Sequence, residues 1–294
     1  MTEKLSVLAV MSHPDDETLF MGGALAKYAQ EGANVHLLVV SNGEKGRIAI
    51  TGKEQGVVGS REIEIGERQA FSETRQQECL RAAEILGIQS VEFLGFPDLG
   101  INESALLPIK QQILQTNPHI LLTFNEAGTT TQPDHSWTGI STFYAIKSIL
   151  SDQITDNFEK TLNFASLMMF TLPEANRLLV KHGELITDPS NRIALDIQAV
   201  VDLKMKAANC YRTQAHLINF FQRSGILERN TENYIERVRR NGQIVEIDNM
   251  PKSKENYISS CSDLFEQIQL RCAIAQELIN SFQPVSPDKF NQAG

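Results

Sequence analysis

Four short apolar runs, at residues 5–11, 35–40, 91–96 and 120–124, punctuate the first half of the chain, each rich in Val, Ile, Leu or Phe. Runs of this length predict buried β-strands rather than helices. Between and after them lie longer stretches with helical spacing of apolar positions, at 19–31, 74–86, 104–115 and 137–150. Gly32 and Gly87 fall where helix ends favour a left-handed residue. Strand and helix alternating in this rhythm predict right-handed crossovers and a mostly parallel sheet covered on both faces, an α/β fold. In such sheets the ligand crevice opens at the carboxyl ends of the strands. The loops at 13–17, 41–46, 97–98 and 125–135 are polar, and the topology predicts that they converge there.

The rest of the pattern is weaker. Residues 47–72 are polar, contain glycine and show no period, which reads as a long loop, either a lid or a solvated insertion. A further strand is predicted at 162–170 and a helix at 196–221. The remainder, 222–294, is more charged and predicts helices at 228–240 and 255–282, with a frayed tail. The domain reading is therefore 1–221 as one α/β domain, with 222–294 a mainly helical C-terminal extension packed on or capping it. That extension could pack across the core, close the crevice, or form a contact between copies in a homo-oligomer.

Composition narrows the partners. The chain has 294 residues, 41% hydrophobic and 21% charged, with a formal charge of −9. An acidic balance argues against nucleic acid, whose phosphates need a basic surface. No apolar stretch approaches the roughly 20 residues that span a bilayer, and the N-terminus does not read as a secretory signal. Cys79, Cys210, Cys261 and Cys272 are scattered without paired zinc-finger spacing, so they read as reduced thiols in a cytoplasmic protein.

The first strand runs directly into Ser12-His13-Pro14-Asp15-Asp16-Glu17. One imidazole and three carboxylates on a single loop are costly unless a cation neutralises them. Capping of the next helix would account for one acid or two but leaves His13 without a role. A second imidazole follows the fourth strand, in Gln132-Pro133-Asp134-His135. Two histidines and one carboxylate from separate loops are the usual protein half of a catalytic zinc site. His13, Asp16 and His135 are therefore the expected metal ligands, for Zn2+ or another divalent ion. Asp15, beside a ligand, is left to take a proton from water. The first strand-to-helix turn lacks Gly-x-Gly-x-x-Gly and presents acids where a pyrophosphate would sit, which excludes a dinucleotide site. No Gly-x-Ser-x-Gly elbow is present, and no cysteine lies near His and acid in sequence, which removes serine- and cysteine-type acyl transfer.

These motifs resemble the LmbE/PIG-L family of zinc-dependent N-deacetylases, whose hallmark is a strand followed by His-Pro-Asp-Asp-Glu. The likeness continues through Ser41-Asn42-Gly43-Glu44-Lys45-Gly46, Glu73-Thr74-Arg75-Gln76-Gln77-Glu78, Leu94-Gly95-Phe96-Pro97-Asp98 and Pro133-Asp134-His135. Lys204 and Tyr211-Arg212-Thr213-Gln214 form a weaker echo. The resemblance implies a Rossmann-like sheet binding one zinc. It also implies hydrolysis of an N-acetyl group from an N-acetylglucosamine-type small conjugate. Position by position it assigns His13, Asp16 and His135 to the metal and Asp15 to the general base. Arg75 and Asp98 match positions that hold the sugar, with a surface ion pair and a turn acid as their plain alternatives. Asp134 would orient a neighbouring imidazole, or simply serve the turn.

One position departs. Gln132 stands where the family usually has a histidine that stabilises the oxyanion and protonates the leaving amine. A glutamine amide donates a hydrogen bond but gives up no proton in the useful range. Asp15 could serve as both base and acid, or Tyr211 or His216 could substitute. The competing class is a metal-bearing sugar-conjugate binding protein with impaired catalysis.

Overall fold

The computed structural model describes residues 4–52, 56–125, 128, 132–154, 164–170 and 192–239. The strands are β1 (Ser6–Met11), β2 (Asn34–Ser41), β3 (Arg47–Gly52), β4 (Gly56–Glu62), β5 (Ser90–Phe96), β6 (Ile120–Phe124), β7 (Ser166–Phe170), β8 (Arg192–Asp196) and β9 (Thr231–Arg239). The helices are α1 (Asp16–Gln30), α2 (Arg68–Leu86), α3 (Leu106–Thr116), α4 (Pro133–Ile154), α5 (Val201–Ala208) and α6 (Ala215–Arg223). Seven strands form one sheet in the order β5-β2-β1-β6-β7-β9-β8, and β3 and β4 form a separate antiparallel ribbon. The five strands β5 to β7 in that order are mutually parallel, and β9 runs antiparallel to both neighbours.

β1 shows why the sheet is covered twice. Every one of its residues is buried. Val7, Ala9 and Met11 pack with α1, α2 and α5 on one face, while Leu8 and Val10 pack with α3 and α4 on the other. Side chains alternate across a strand, so an unbroken apolar run must bury both faces. Each fully buried Val or Leu contributes about 1.5–3 kcal/mol, which makes β1 and β2 a rigid platform for the loops that leave them.

The chain leaves β1 for β2 and β5 on one side and returns to β6 on the other. That reversal opens a crevice between the carboxyl ends of β1 and β6. The loop carrying His13 leaves β1, and His135 sits in the first turn of α4, the element that follows β6. Ser12 Oγ donates to Thr138 Oγ1 at 2.9 Å, tying the first of these loops to α4. Pro133 is the first residue of α4, a position where its missing N–H costs nothing.

Three regions differ from expectation. Residues 47–52 and 56–62 pair as a β-ribbon rather than a loop, and α2 already begins at Arg68. The ribbon's residues are half-buried or exposed, so no strong alternation marks them. A lone hairpin is marginal, and this one leans on the 213–214 segment. Ala49 N donates to Thr213 O at 2.8 Å, and Gln214 Nε2 donates to Arg47 O at 3.0 Å. The helix expected over 196–221 is interrupted between α5 and α6, where Tyr211 and Thr213 send their side chains to Glu17 and Glu78. The helix expected at 228–240 is instead β9, hydrogen-bonded between β7 and β8, so the main sheet continues past residue 221. Its charge pattern misled because Glu232, a polar residue on a strand, points inward and is 3% exposed. The helix expected at 255–282, the first residues of the strand expected at 162–170, and Cys261 and Cys272 lie outside the described residues. Among the described residues no helix is long and apolar enough to cross a membrane.

Candidate metal centre

His13, Asp15, Asp16, Asp98, Asp134 and His135 are all buried, and the loops bring them together. His13 Nδ1 lies 3.2 Å from His135 Nε2 and 3.2 Å from Asp16 Oδ2, and His135 Nε2 lies 3.3 Å from Asp16 Oδ1. These three side chains form a group able to hold a metal ion. Two imidazole nitrogens and a carboxylate without intervening protein atoms form a donor set rather than a packing contact.

The rest of the loops orient these donors. His13 N donates to Asp16 Oδ2 at 2.8 Å, so the loop folds back onto its own ligand. The other ring nitrogen, His13 Nε2, faces Asp134 Oδ2 at 3.2 Å and Asp98 Oδ1 at 3.3 Å. A proton on Nε2 satisfies those carboxylates and leaves the Nδ1 lone pair for a cation. Asp134 also accepts Leu99 N at 2.7 Å and Ile101 N at 3.3 Å, drawing the loop after β5 against His13. His135 Nδ1 faces Gly128 O at 3.1 Å, and its ring stacks on Phe124 at 4.1 Å with 8° between planes.

Asp15 is not among the three donors. Its Oδ2 accepts from Arg75 Nη2 at 2.9 Å. Arg75 is 3% exposed and also donates to Pro14 O at 2.5 Å and Gly43 O at 2.7 Å. Gly43 has φ +63, and a Cβ there would meet Arg75 Nη1 at 2.3 Å, so only glycine admits the guanidinium. Asp98 is equally enclosed, accepting Lys45 N at 3.0 Å. Its own N–H is held by the Glu44 carboxylate at 3.0 Å. The structure thus places Arg75 and Asp98 inside the loop framework, with Arg75 Nη1 and Nη2 and the Asp98 carboxylate on protein groups. Arg75 Nε is buried without a hydrogen-bond partner among the described residues. Gln132 is exposed, and its carbonyl accepts His135 N at 3.1 Å.

The electrostatics follow from this crowding. Burial pushes the Asp15 carboxyl up to about 7, against the pull of Arg75. Burial would also raise Asp16, but His135 and His13 outweigh it and hold that group well below the usual carboxylate range. Burial opposes charge on His13, yet Asp134, Asp16 and Asp98 raise it well above the usual imidazole value. Among the described residues, non-glycine positive φ occurs only at Asp15, Leu99 and Asn117, and the first two border this cluster. Strain of this kind concentrates where a site over-determines the backbone.

Residues 8–146 match the sequence profile of PIG-L, GlcNAc-PI de-N-acetylase. Over those residues the chain is similar to the PIG-L (LmbE) family. It is 28% identical over 240 residues to a 1D-myo-inositol 2-acetamido-2-deoxy-alpha-D-glucopyranoside deacetylase of Rhodococcus jostii, an alignment covering 71% of this chain and 81% of that protein. It is 32% identical over 165 residues to a mycothiol S-conjugate amidase of Streptomyces coelicolor, covering 50% of this chain and 53% of the relative. Among solved structures, the 4-carboxy-2-hydroxymuconate hydratase GalB of Pseudomonas putida superposes with a TM-score of 0.59 at 21% identity, covering 79% of this chain and 95% of that one. That likeness concerns the fold alone.

Two buried glutamates make contacts that the sequence did not point to. Glu17 is fully buried behind Asp15, and Glu78 anchors Thr213 through its N at 3.0 Å and its hydroxyl at 2.5 Å. Glu17 read as a favourable charge at a helix start, and only the contact with Tyr211, 194 residues away, distinguishes it.

Proposed function

We propose that the protein is a zinc-dependent amidohydrolase that removes an N-acetyl group from an N-acetylglucosamine-type small conjugate. The observation that carries this reading is the 3.2–3.3 Å spacing of His13 Nδ1, His135 Nε2 and the Asp16 carboxylate. Zinc–nitrogen bonds of about 2.0–2.1 Å at tetrahedral angles put neighbouring ligand atoms about 3.3–3.4 Å apart, so the donor set fits that ion. Bound zinc lowers the pKa of water toward about 7 and polarises a carbonyl.

The chain's own groups do the rest. Arg75 occupies one Asp15 oxygen, and the other carries no hydrogen bond among the described residues. That free oxygen takes the proton of the attacking water. When the tetrahedral intermediate collapses, Asp15 returns the proton to the departing amine, because Gln132 has none to give. Asp134 and Asp98 hold the His13 ring through Nε2. The substrate class follows the names of the relatives, a 1D-myo-inositol 2-acetamido-2-deoxy-alpha-D-glucopyranoside deacetylase and a mycothiol S-conjugate amidase.

Metal analysis combined with acetate release from a panel of N-acetylglucosamine conjugates tests the reading. Wild type is expected to carry one zinc per chain and release acetate. Asp15→Asn is expected to keep the zinc and lose about 10²–10⁴-fold in turnover. Full turnover in Asp15→Asn, or no metal in the wild type, overturns it. The second reading, a metal-bearing binding protein, rests on Gln132, and acetate release that appears only in Gln132→His would favour it.

A further inference from the structure

Asp15 has φ 119 and ψ −28, outside the regions an L-residue normally adopts. Something must hold it there. Its carbonyl accepts Thr18 N at 3.1 Å and Leu19 N at 3.0 Å, the ordinary start of α1. Its N–H is held differently, donating to Glu17 Oε2 at 3.1 Å. The other Glu17 oxygen accepts two hydroxyls, Tyr211 Oη and Thr18 Oγ1, both at 2.5 Å.

A glutamate that only complemented a helix start would sit in water, where its charge costs nothing. Glu17 is 0% exposed, and Tyr211 is 1% exposed, so both were desolvated for a purpose other than solubility. Tyr211 arrives from the interruption between α5 and α6. The same short segment is pinned by Thr213 on Glu78 and Gln214 on Arg47. The segment therefore touches the starts of α1 and β3 and the middle of α2 at once.

We propose that Glu17 and Tyr211 are a positioning pair: Tyr211 aims the Glu17 carboxylate, and Glu17 grips the Asp15 peptide N–H, fixing the strained backbone that presents the Asp15 carboxyl. The role deepens the proposed hydrolysis and rests on it for its catalytic meaning. Neither residue touches substrate. The pair acts through Asp15, and it couples the catalytic loop to a part of the chain nearly two hundred residues later. Thr18 alone does not suffice, because its hydroxyl moves with α1 and gives Glu17 no external reference.

Tyr211→Phe removes one hydroxyl and keeps the ring. Glu17→Gln keeps the shape but turns one acceptor into a donor, which then faces a donor. Hydrogen exchange of the Asp15 amide reads the positioning directly. Its protection is expected to fall about tenfold in Tyr211→Phe, while the amides of β1 and β2 stay protected. In the same protein, kcat is expected to fall about ten- to hundredfold, with KM within about twofold and metal content unchanged. The double variant is expected to be no worse than Glu17→Gln alone, because the two act as a unit.

Unchanged Asp15 protection in both single variants overturns the proposal. So does a kcat loss matched by loss of metal or by faster exchange throughout the core, which is what a merely structural role produces. A wild type that hydrolyses no amide would defeat the proposed function, and the exchange comparison would then decide the pinning by itself.

Discussion

The parallel half of the sheet and its antiparallel edge handle buried charge in opposite ways. In the parallel half, carboxylates collect at the strand ends, around His13 and His135, and their arrangement leaves a gap that a cation fits. At the edge, Glu232 on β9 is also buried, but every oxygen is consumed. It accepts Gly23 N and Ala24 N at 2.8 Å, Lys204 Nζ at 2.8 Å and Tyr234 Oη at 2.9 Å. Both carboxylate clusters are costly to bury. The first brings together donor atoms that could hold a metal ion, and the second is closed on protein donors.

Substitutions that fall on one side only sharpen this contrast. The largest effect is expected from His13→Ala, which removes a donor shared by the metal group and the Asp98–Asp134 pair. Metal content should fall to background and turnover by more than about 10³-fold, since the remaining donors leave an ion two-coordinate. Retained stoichiometric metal in that variant would break the assignment.

Next comes Glu232→Leu. Leaving Lys204 buried without its partner is expected to cost about 3–5 kcal/mol of stability by urea unfolding, with metal content and KM unchanged in the folded fraction. Adding Lys204→Met should restore only part of it, because Gly23 N and Ala24 N still lack an acceptor. Metal loss in Glu232→Leu would show that the two clusters are not separate.

A smaller change is expected for Gln132→His, less than about tenfold in kcat if Asp15 already returns the proton. The smallest is a pH effect at His36, between β2 and β5. Burial lowers its pKa below 6.5. A depressed histidine binds its proton more readily unfolded, so its contribution is intact above about pH 6.5 and declines as pH falls. Thermal unfolding of wild type against His36→Gln at pH 8 and pH 5.5 should show the variant losing slightly less on acidification. An identical pH response in the two would remove His36 from the account.

The same contrast explains how far the sequence could be read. β1, β2 and β6 were legible because burial writes an unbroken apolar run. β5, expected to be buried, is the edge strand and only half-buried or exposed, yet its Val91, Phe93, Leu94 and Phe96 still mark it as a strand. The loops after these strands were legible because they are polar where the runs end. β9 was not, because Glu232 and Tyr234 alternate inward as a polar and an amphipathic residue, and the intervening charges fall at helical spacing. β8 and the ribbon were missed for lack of a buried stripe. At the site, His13, Asp16 and His135 could be read from residue type and spacing. What Arg75 and Asp98 touch could not, because both side chains are occupied by backbone groups of other loops, and sequence carries no sign of that.

The two imidazoles that meet across the crevice belong to residues 122 positions apart, one in the loop after β1 and one in the first turn of α4, which follows β6, beside the point where the sheet order reverses. An ion held by both would act as a cross-link closing that long stretch of chain. Ligands that bind only the folded form add stability by mass action. Withdrawing the ion with a chelator should therefore loosen the fold first along the seam between β1 and β6, and cellular metal supply would set the lifetime of the protein as well as its activity.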